Sequence, residues 1–339
     1  MKYVKLFFIV FIFFGLLFAG EDPMQSMTIE YGGYDLTQTE VSSSKQTYVP
    51  QAYYDNVILV VQEAHLLARK GEHAAAAAKF KQALKTDSTY VFALNGLGNA
   101  YLKLNDLANA ERYFRQAMLF GESYAFPYNN LANLYILQGK HDDAVPLLQK
   151  ALKYDPNSAY VYYNLGNVYL AKEKYNLAQS HYLKAIKYDK NFCNARYNLA
   201  LTYQRQNREG DALKEYEAVV KICPGHKKAV LNLAAYYLQS GKADQAILLY
   251  RQALLINPQA ELYLALGHAY HNQGFAKLEI GAYEEAVKLD SSDVEARYFL
   301  ALSYYEQNMK FSSLKLCRDI LEDDPENTQA LDLLEKIGL

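Results

Sequence analysis

The segment Asn130–Leu–Ala–Asn–Leu–Tyr135 returns as Asn164–Leu–Gly–Asn–Val–Tyr169, and again as Asn198–Leu–Ala–Leu–Thr–Tyr203. Each recurrence lies 34 residues after the last. A fixed period of this length marks one supersecondary unit that is stacked on copies of itself. Carried outward, the register gives units 57–90, 91–124, 125–158, 159–192, 193–226, 227–259, 260–293 and 294–327. All have 34 residues except 227–259, which has 33. Residues 328–339 form a shorter amphipathic segment, expected to be a C-terminal capping helix.

The same physical logic recurs in every unit. Position 8 is Ala64, Gly98, Ala132, Gly166, Ala200, Ala234, Gly267 and Ala301. Side chains this small let two antiparallel helices approach closely. Position 20 is Ala76, Ala110, Ala144, Ala178, Ala212 and Ala246, then Glu279 and Ser313. Position 24 is large in most units: Phe80, Phe114, Leu148, Tyr182, Tyr216, Tyr250 and Tyr283, with Cys317 last. Apolar residues at spacings of three and four make each unit a pair of amphipathic helices. Turn residues such as Gly71, Gly139, Gly241 and Gly274 separate the two helices, and Pro156, Pro224, Pro258 and Pro325 end second helices. The expected fold is all-α, a solenoid of antiparallel helix pairs. Glu279 stands out at a small-residue position, and a local distortion is expected around Phe275–Ile280.

This pattern resembles the tetratricopeptide repeat family, over eight repeats from 57 to 327. The resemblance implies a right-handed superhelix whose first helices line a concave groove and whose second helices lie outside. It implies a non-catalytic module that binds a peptide or partner protein. It also implies that positions 2, 5, 6, 9, 12 and 13 face the groove. Position 6 then supplies a line of amides, Asn130, Asn164, Asn198 and Asn232, and position 9 adds Asn99, Asn133 and Asn167. Asparagine is a poor helix former, so its repetition has a cost at each unit. An amide has one acceptor and two donor hydrogens, the complement of a peptide bond. The other use of such amides is to link neighbouring helices. Beside them lie Phe92, Phe126 and Tyr160 at position 2, and Tyr163, Tyr197 and Tyr298 at position 5. Aromatics next to amides suit a peptide with apolar side chains or a carbohydrate; helix packing is their other use. The lysine position of the family's carboxylate clamp holds Val61, Asn95, Asn129, Tyr163 and Tyr197, so recognition of a free C-terminal carboxylate is not expected.

Outside the repeats, Lys2 and Lys5 precede an apolar run, Leu6 to Ala19, followed by Gly20, Glu21 and Asp22. This is the pattern of a signal peptide over residues 1–20. The run is shorter than the roughly 20 residues of a comfortable membrane span. Export to a periplasmic or extracellular space is expected, with an uncleaved membrane anchor over residues 4–19 as the alternative. Residues 21–56 are polar, lack a period and read as a linker, or as a segment whose tyrosines dock on the first helices.

The net charge of −2 gives no electrostatic footprint for nucleic acid. Three cysteines are too few for a disulfide framework. Cys193 and Cys223 stand at the same end of one helical hairpin, and an exported chain permits a disulfide if their Cα atoms lie within about 7 Å. Cys317, at a core position, should be a buried thiol. No glycine-rich phosphate loop and no HExxH motif appear, so no cofactor is expected. His268 and His271 share a helix face, but no third ligand is evident, and no metal site is expected. The function read from the sequence is an exported scaffold that binds an extended peptide or partner protein in its groove. The alternative is a structural subunit of an envelope assembly or secretion complex, held through its convex face or its ends. Exposed apolar surface in the groove favours the first, and exposed apolar surface outside favours the second.

Overall fold

A computed structural model describes residues 54–338. The signal segment and nearly all of the expected linker lie outside the described residues. The three linker residues that are described, Tyr54–Asn56, do not belong to an aperiodic segment. They begin a π-helical turn, Tyr54–Ile58, that runs directly into the first α-helix.

The chain divides into two compact units, one reaching Thr202 and the other beginning at Tyr203. The first unit contains α1 (Leu59–Arg69), α2 (His73–Thr86), α3 (Val91–Lys103), α4 (Leu107–Phe120), α5 (Ala125–Leu137), α6 (His141–Tyr154), α7 (Ala159–Ala171), α8 (Tyr175–Tyr188) and most of α9 (Cys193–Arg205). The second contains α10 (Glu209–Ile222), α11 (Lys227–Gln239), α12 (Ala243–Ile256), α13 (Ala260–Asn272), α14 (Ala276–Leu289), α15 (Val294–Glu306), α16 (Lys310–Asp323) and α17 (Thr328–Ile337). All regular structure among the described residues is helical.

Within each unit, helices pack on their sequence neighbours, and first helices also pack on the next first helix, as α3 does on α5 and α11 on α13. The small residues sit where helices cross. Ala64, Ala132, Ala234 and Ala301 are fully buried, as are the six alanines from Ala76 to Ala246 at position 20. The large residues at position 24 fill the space between. Phe80, Phe114, Leu148, Tyr182 and Tyr216 have no exposed surface. The close approach is literal at Gly166, where an added Cβ would lie 2.4 Å from Tyr182 Cε1.

The turn inside every hairpin places its fifteenth residue in the left-handed region. Gly71 has φ +83° and Gly139 +72°. Asn105, Asn207 and Asn308 adopt similar values, as does Glu173 at φ 55°. Glycine meets no Cβ penalty there and asparagine little, whereas glutamate carries strain. Glu279 causes no distortion, contrary to expectation: α14 runs unbroken from Ala276 to Leu289. The carboxylate is accommodated by polar partners described below. Among the described residues, no helix is long and apolar enough to cross a membrane.

Candidate functional site

The position 6 asparagines, read from the sequence as groove donors or as links between helices, each donate a hydrogen bond to a neighbouring helix. Asn130 on α5 donates from Nδ2 to Asn95 Oδ1 on α3 at 2.9 Å. One repeat on, Asn164 of α7 donates to Asn129 Oδ1 of α5 at 2.9 Å. Asn198 of α9, only 1% exposed, donates to Asn167 Oδ1 at 2.9 Å. In the second unit Asn232 donates to Tyr216 Oη at 3.1 Å, and that hydroxyl donates in turn to Gln204. The position 6 ladder is thus a set of braces between successive hairpins. Burial is the physical reason at Asn164 and Asn198 and at the acceptor Asn95, because a buried amide must bond to something, while Asn130 and Asn232 are half-buried.

At position 9, Asn99 is buried and Asn133 half-buried. Asn167 is buried and accepts two hydrogen bonds, from Asn198 and from Tyr182 Oη at 2.7 Å. Burial pushes the Tyr182 hydroxyl well above its ordinary pKa, so it stays a donor. Asn167 Nδ2 is buried with no hydrogen-bond partner among the described residues.

The aromatics gather with one another. Phe92 and Phe126 have ring centroids 5.2 Å apart, and Tyr90 and Tyr124 join them. Tyr160 and Tyr163 both pack on Phe192, at 4.9 Å and 5.0 Å. Phe126, Tyr163 and Tyr197 are buried, while Phe92 and Tyr160 are half-buried. Much of this stripe is therefore helix packing. Tyr124, at the end of its unit, keeps an exposed edge and was not singled out from the sequence.

The two histidines that share a helix face, His268 and His271, make separate contacts. His268 is held by Tyr283, whose Oη lies 2.8 Å from its Nδ1, and burial lowers its pKa to about 4. His271 instead faces Glu279, with Nδ1 3.0 Å from Oε1. That hydrogen bond raises the His271 pKa. The Ser303 hydroxyl also donates to Glu279, and Glu306 Oε2 lies 4.0 Å from His271 Nδ1. The carboxylates beside His271 come from two other helices, α14 and α15. The residue at the anomalous position 20 was the signal that could have found them. Cys193 and Cys223 are disulfide-bonded, and Cys317 is a buried free thiol.

Exposed large apolar side chains concentrate on second helices. Leu119 and Phe120 lie on α4, Leu177 and Leu183 on α8, Leu248, Leu255 and Ile256 on α12, and Phe311 on α16. Leu119 is 71% exposed, Phe311 82% and Leu255 88%. Among the described residues, no first helix from α3 to α15 carries such a side chain.

Family profiles described as tetratricopeptide repeat match residues 61–125, 203–269 and 260–293. One described as TPR repeat matches 132–173 and 166–207. A search of curated proteins finds no match. Among solved structures, the human IFIT1 dimer with PPP-AAAA is similar at 18% identity and a TM-score of 0.59, covering 82% of this chain and 71% of that one. The APC/C hetero-tetramer Cut9–Hcn1 is similar at 16% identity and a TM-score of 0.51, covering 83% of this chain and 55% of that one. At these identities the likeness is one of fold.

Proposed function

The chain belongs to the tetratricopeptide repeat family, and on that premise we propose that it is a non-catalytic scaffold that docks a partner protein on the outward faces of its second helices. The observation behind this reading is the exposed apolar residues carried by those helices. On α12, Leu248 and Leu255 stand seven residues apart, on one helix face with Arg251 and Gln252. The leucines offer apolar area that a partner can cover, and arginine is enriched at the centres of protein interfaces. Covering Leu255 fully would contribute about 1.5–3 kcal/mol. The net charge of −2 does not favour a phosphate-rich ligand such as the PPP-AAAA of the IFIT1 dimer.

A second reading keeps the first-helix face as a peptide groove, and Asn167 is the observation in its favour. Its buried Nδ2 lacks a partner, and a peptide carbonyl would satisfy it. Export also belongs to the proposal. Its support is the Lys2–Lys5 and Leu6–Ala19 pattern together with disulfide-bonded Cys193 and Cys223, which suit an oxidising compartment.

The test is co-purification from envelope extract with the double variant Leu248→Glu, Leu255→Glu. Both side chains are exposed, so folding should persist by circular dichroism, and the partner should be lost. Retention of the partner by the double variant, with its loss on Asn167→Ala, would establish the groove reading instead.

A further inference from the structure

We propose that His271, Glu279 and Glu306 form a binding site for a first-row divalent transition-metal cation, zinc foremost, which pins the last two helical hairpins of the second unit together. The three side chains come from α13, α14 and α15. Their donor atoms all lie within 4.8 Å of one another. His271 Nδ1 is 3.0 Å from Glu279 Oε1 and 4.0 Å from Glu306 Oε2. Ligand atoms about 2.0–2.2 Å from a tetrahedral zinc sit roughly 3.3–3.6 Å from each other. The observed separations bracket that spacing. Glu306 is exposed and free to rotate the remaining distance.

Glu279 supplies an independent reason. Its position is alanine in six other repeats, where it is the crossing point of packed helices. A carboxylate buried at that point is costly unless a charge compensates it. The Ser303 hydroxyl donates to the same oxygen that faces His271, so the carboxylate is oriented from behind. Support of this kind holds a metal-ligating carboxylate in place.

The donor set then selects the ion. One imidazole nitrogen with two carboxylates suits zinc and its neighbours, whereas calcium and magnesium prefer oxygen ligands alone. Two carboxylate charges and a neutral imidazole match a divalent cation. With three protein ligands a fourth position stays open. The exposed Glu306 turns that position toward solvent, where water or a side chain from a docked protein would fill it.

The experiment uses the full chain, stripped with a chelator and titrated with zinc by calorimetry and with cobalt by visible absorption. The expected result is one ion per chain, with the cobalt bands of a four-coordinate N/O site. With zinc about a hundredfold above its Kd, the folded-to-unfolded ratio of the chain should rise about a hundredfold. Glu279→Ala installs the residue used at this position elsewhere and should abolish binding in a folded chain. Glu306→Gln, at an exposed position, should weaken it at least tenfold, and Ser303→Ala by about tenfold to a hundredfold. The proposal is overturned if the wild-type chain takes up neither ion. It is equally overturned if both glutamate variants bind zinc as the wild type does, since the ion would then sit elsewhere.

Discussion

Replacing Gly166 with alanine sets two opposing effects against each other, and the packing of α7 on α8 decides the sign. By helix propensity alone, the change favours the folded chain by about 0.8–1.0 kcal/mol. The new Cβ, however, would lie 2.4 Å from Tyr182 Cε1 and 2.6 Å from Cδ1. Tyr182 is fully buried, and its hydroxyl is fixed on Asn167 Oδ1 at 2.7 Å. The ring has no space to retreat into, so α7 and α8 must separate or the hydrogen bond must break. Overpacking costs about 1–3 kcal/mol, and the lost hydrogen bond adds about 1 kcal/mol. Ala234 and Tyr250 occupy the same two positions in the α11–α12 hairpin, so a slightly wider hairpin can hold both side chains. The net expectation is therefore a loss of about 1–3 kcal/mol. Gly210 is the control: it lies inside α10, is exposed, and has nothing within 4 Å of an added Cβ. Gly210→Ala, in the first turn of α10, should gain part of the interior propensity difference of about 0.8–1.0 kcal/mol and lose nothing to packing. Urea unfolding followed by circular dichroism reads both. A Gly166→Ala chain as stable as wild type would refute the argument that the packing of Tyr182 requires glycine at residue 166.

Three further outcomes follow from particular side chains. Glu173→Gly should stabilise the chain by about 0.5–1 kcal/mol in thermal unfolding, because it relieves a left-handed φ of 55° at an exposed turn. Asn198→Ala should lower stability by about 1–3 kcal/mol despite alanine's better propensity, since it strips the donor that braces Asn167; an unchanged melting temperature would return Asn198 to the groove. His65 and His181 have pKa values lowered from 6.5 to about 4, by burial first and then by Arg69 and Lys184 respectively. The unfolded chain therefore binds more protons between these values. Stability from this source is complete above about pH 6.5 and is lost as pH falls toward 4. Urea midpoints measured across that range should fall less steeply in a His65→Gln, His181→Gln variant.

The 34-residue recurrence made the helical hairpins legible, because small and large residues in one phase leave a chain few ways to bury its faces. Helix starts at Val91, Ala125, Ala159, Cys193, Lys227, Ala260 and Val294 fall on the repeat boundaries. The candidate site was less legible. Whether Asn130 turns to a groove or to α3 depends on what stands at position 5 of the preceding repeat, and Asn95 there accepts its hydrogen bond. Asn95 and Asn129 were visible in the sequence, but a lone position-6 periodicity does not connect them. The cluster around His271 was hidden for another reason. Its partners lie on different helices, and only the misfit of Glu279 among alanines hinted that the position was polar by design. Leu248 and Leu255 could not be separated from core residues by spacing, since Leu254 beside them is buried.

Docking of a partner on the second helices can be read with a site-specific photocrosslinker. The probe is placed in turn at Leu255, which is 88% exposed on α12, and at Asn133, half-buried on the first-helix face of α5. After irradiation in cells, a discrete covalent adduct with another protein is expected from the Leu255 probe and none from Asn133. An adduct from Asn133 with none from Leu255 would contradict docking on the second helices and place the partner in the groove.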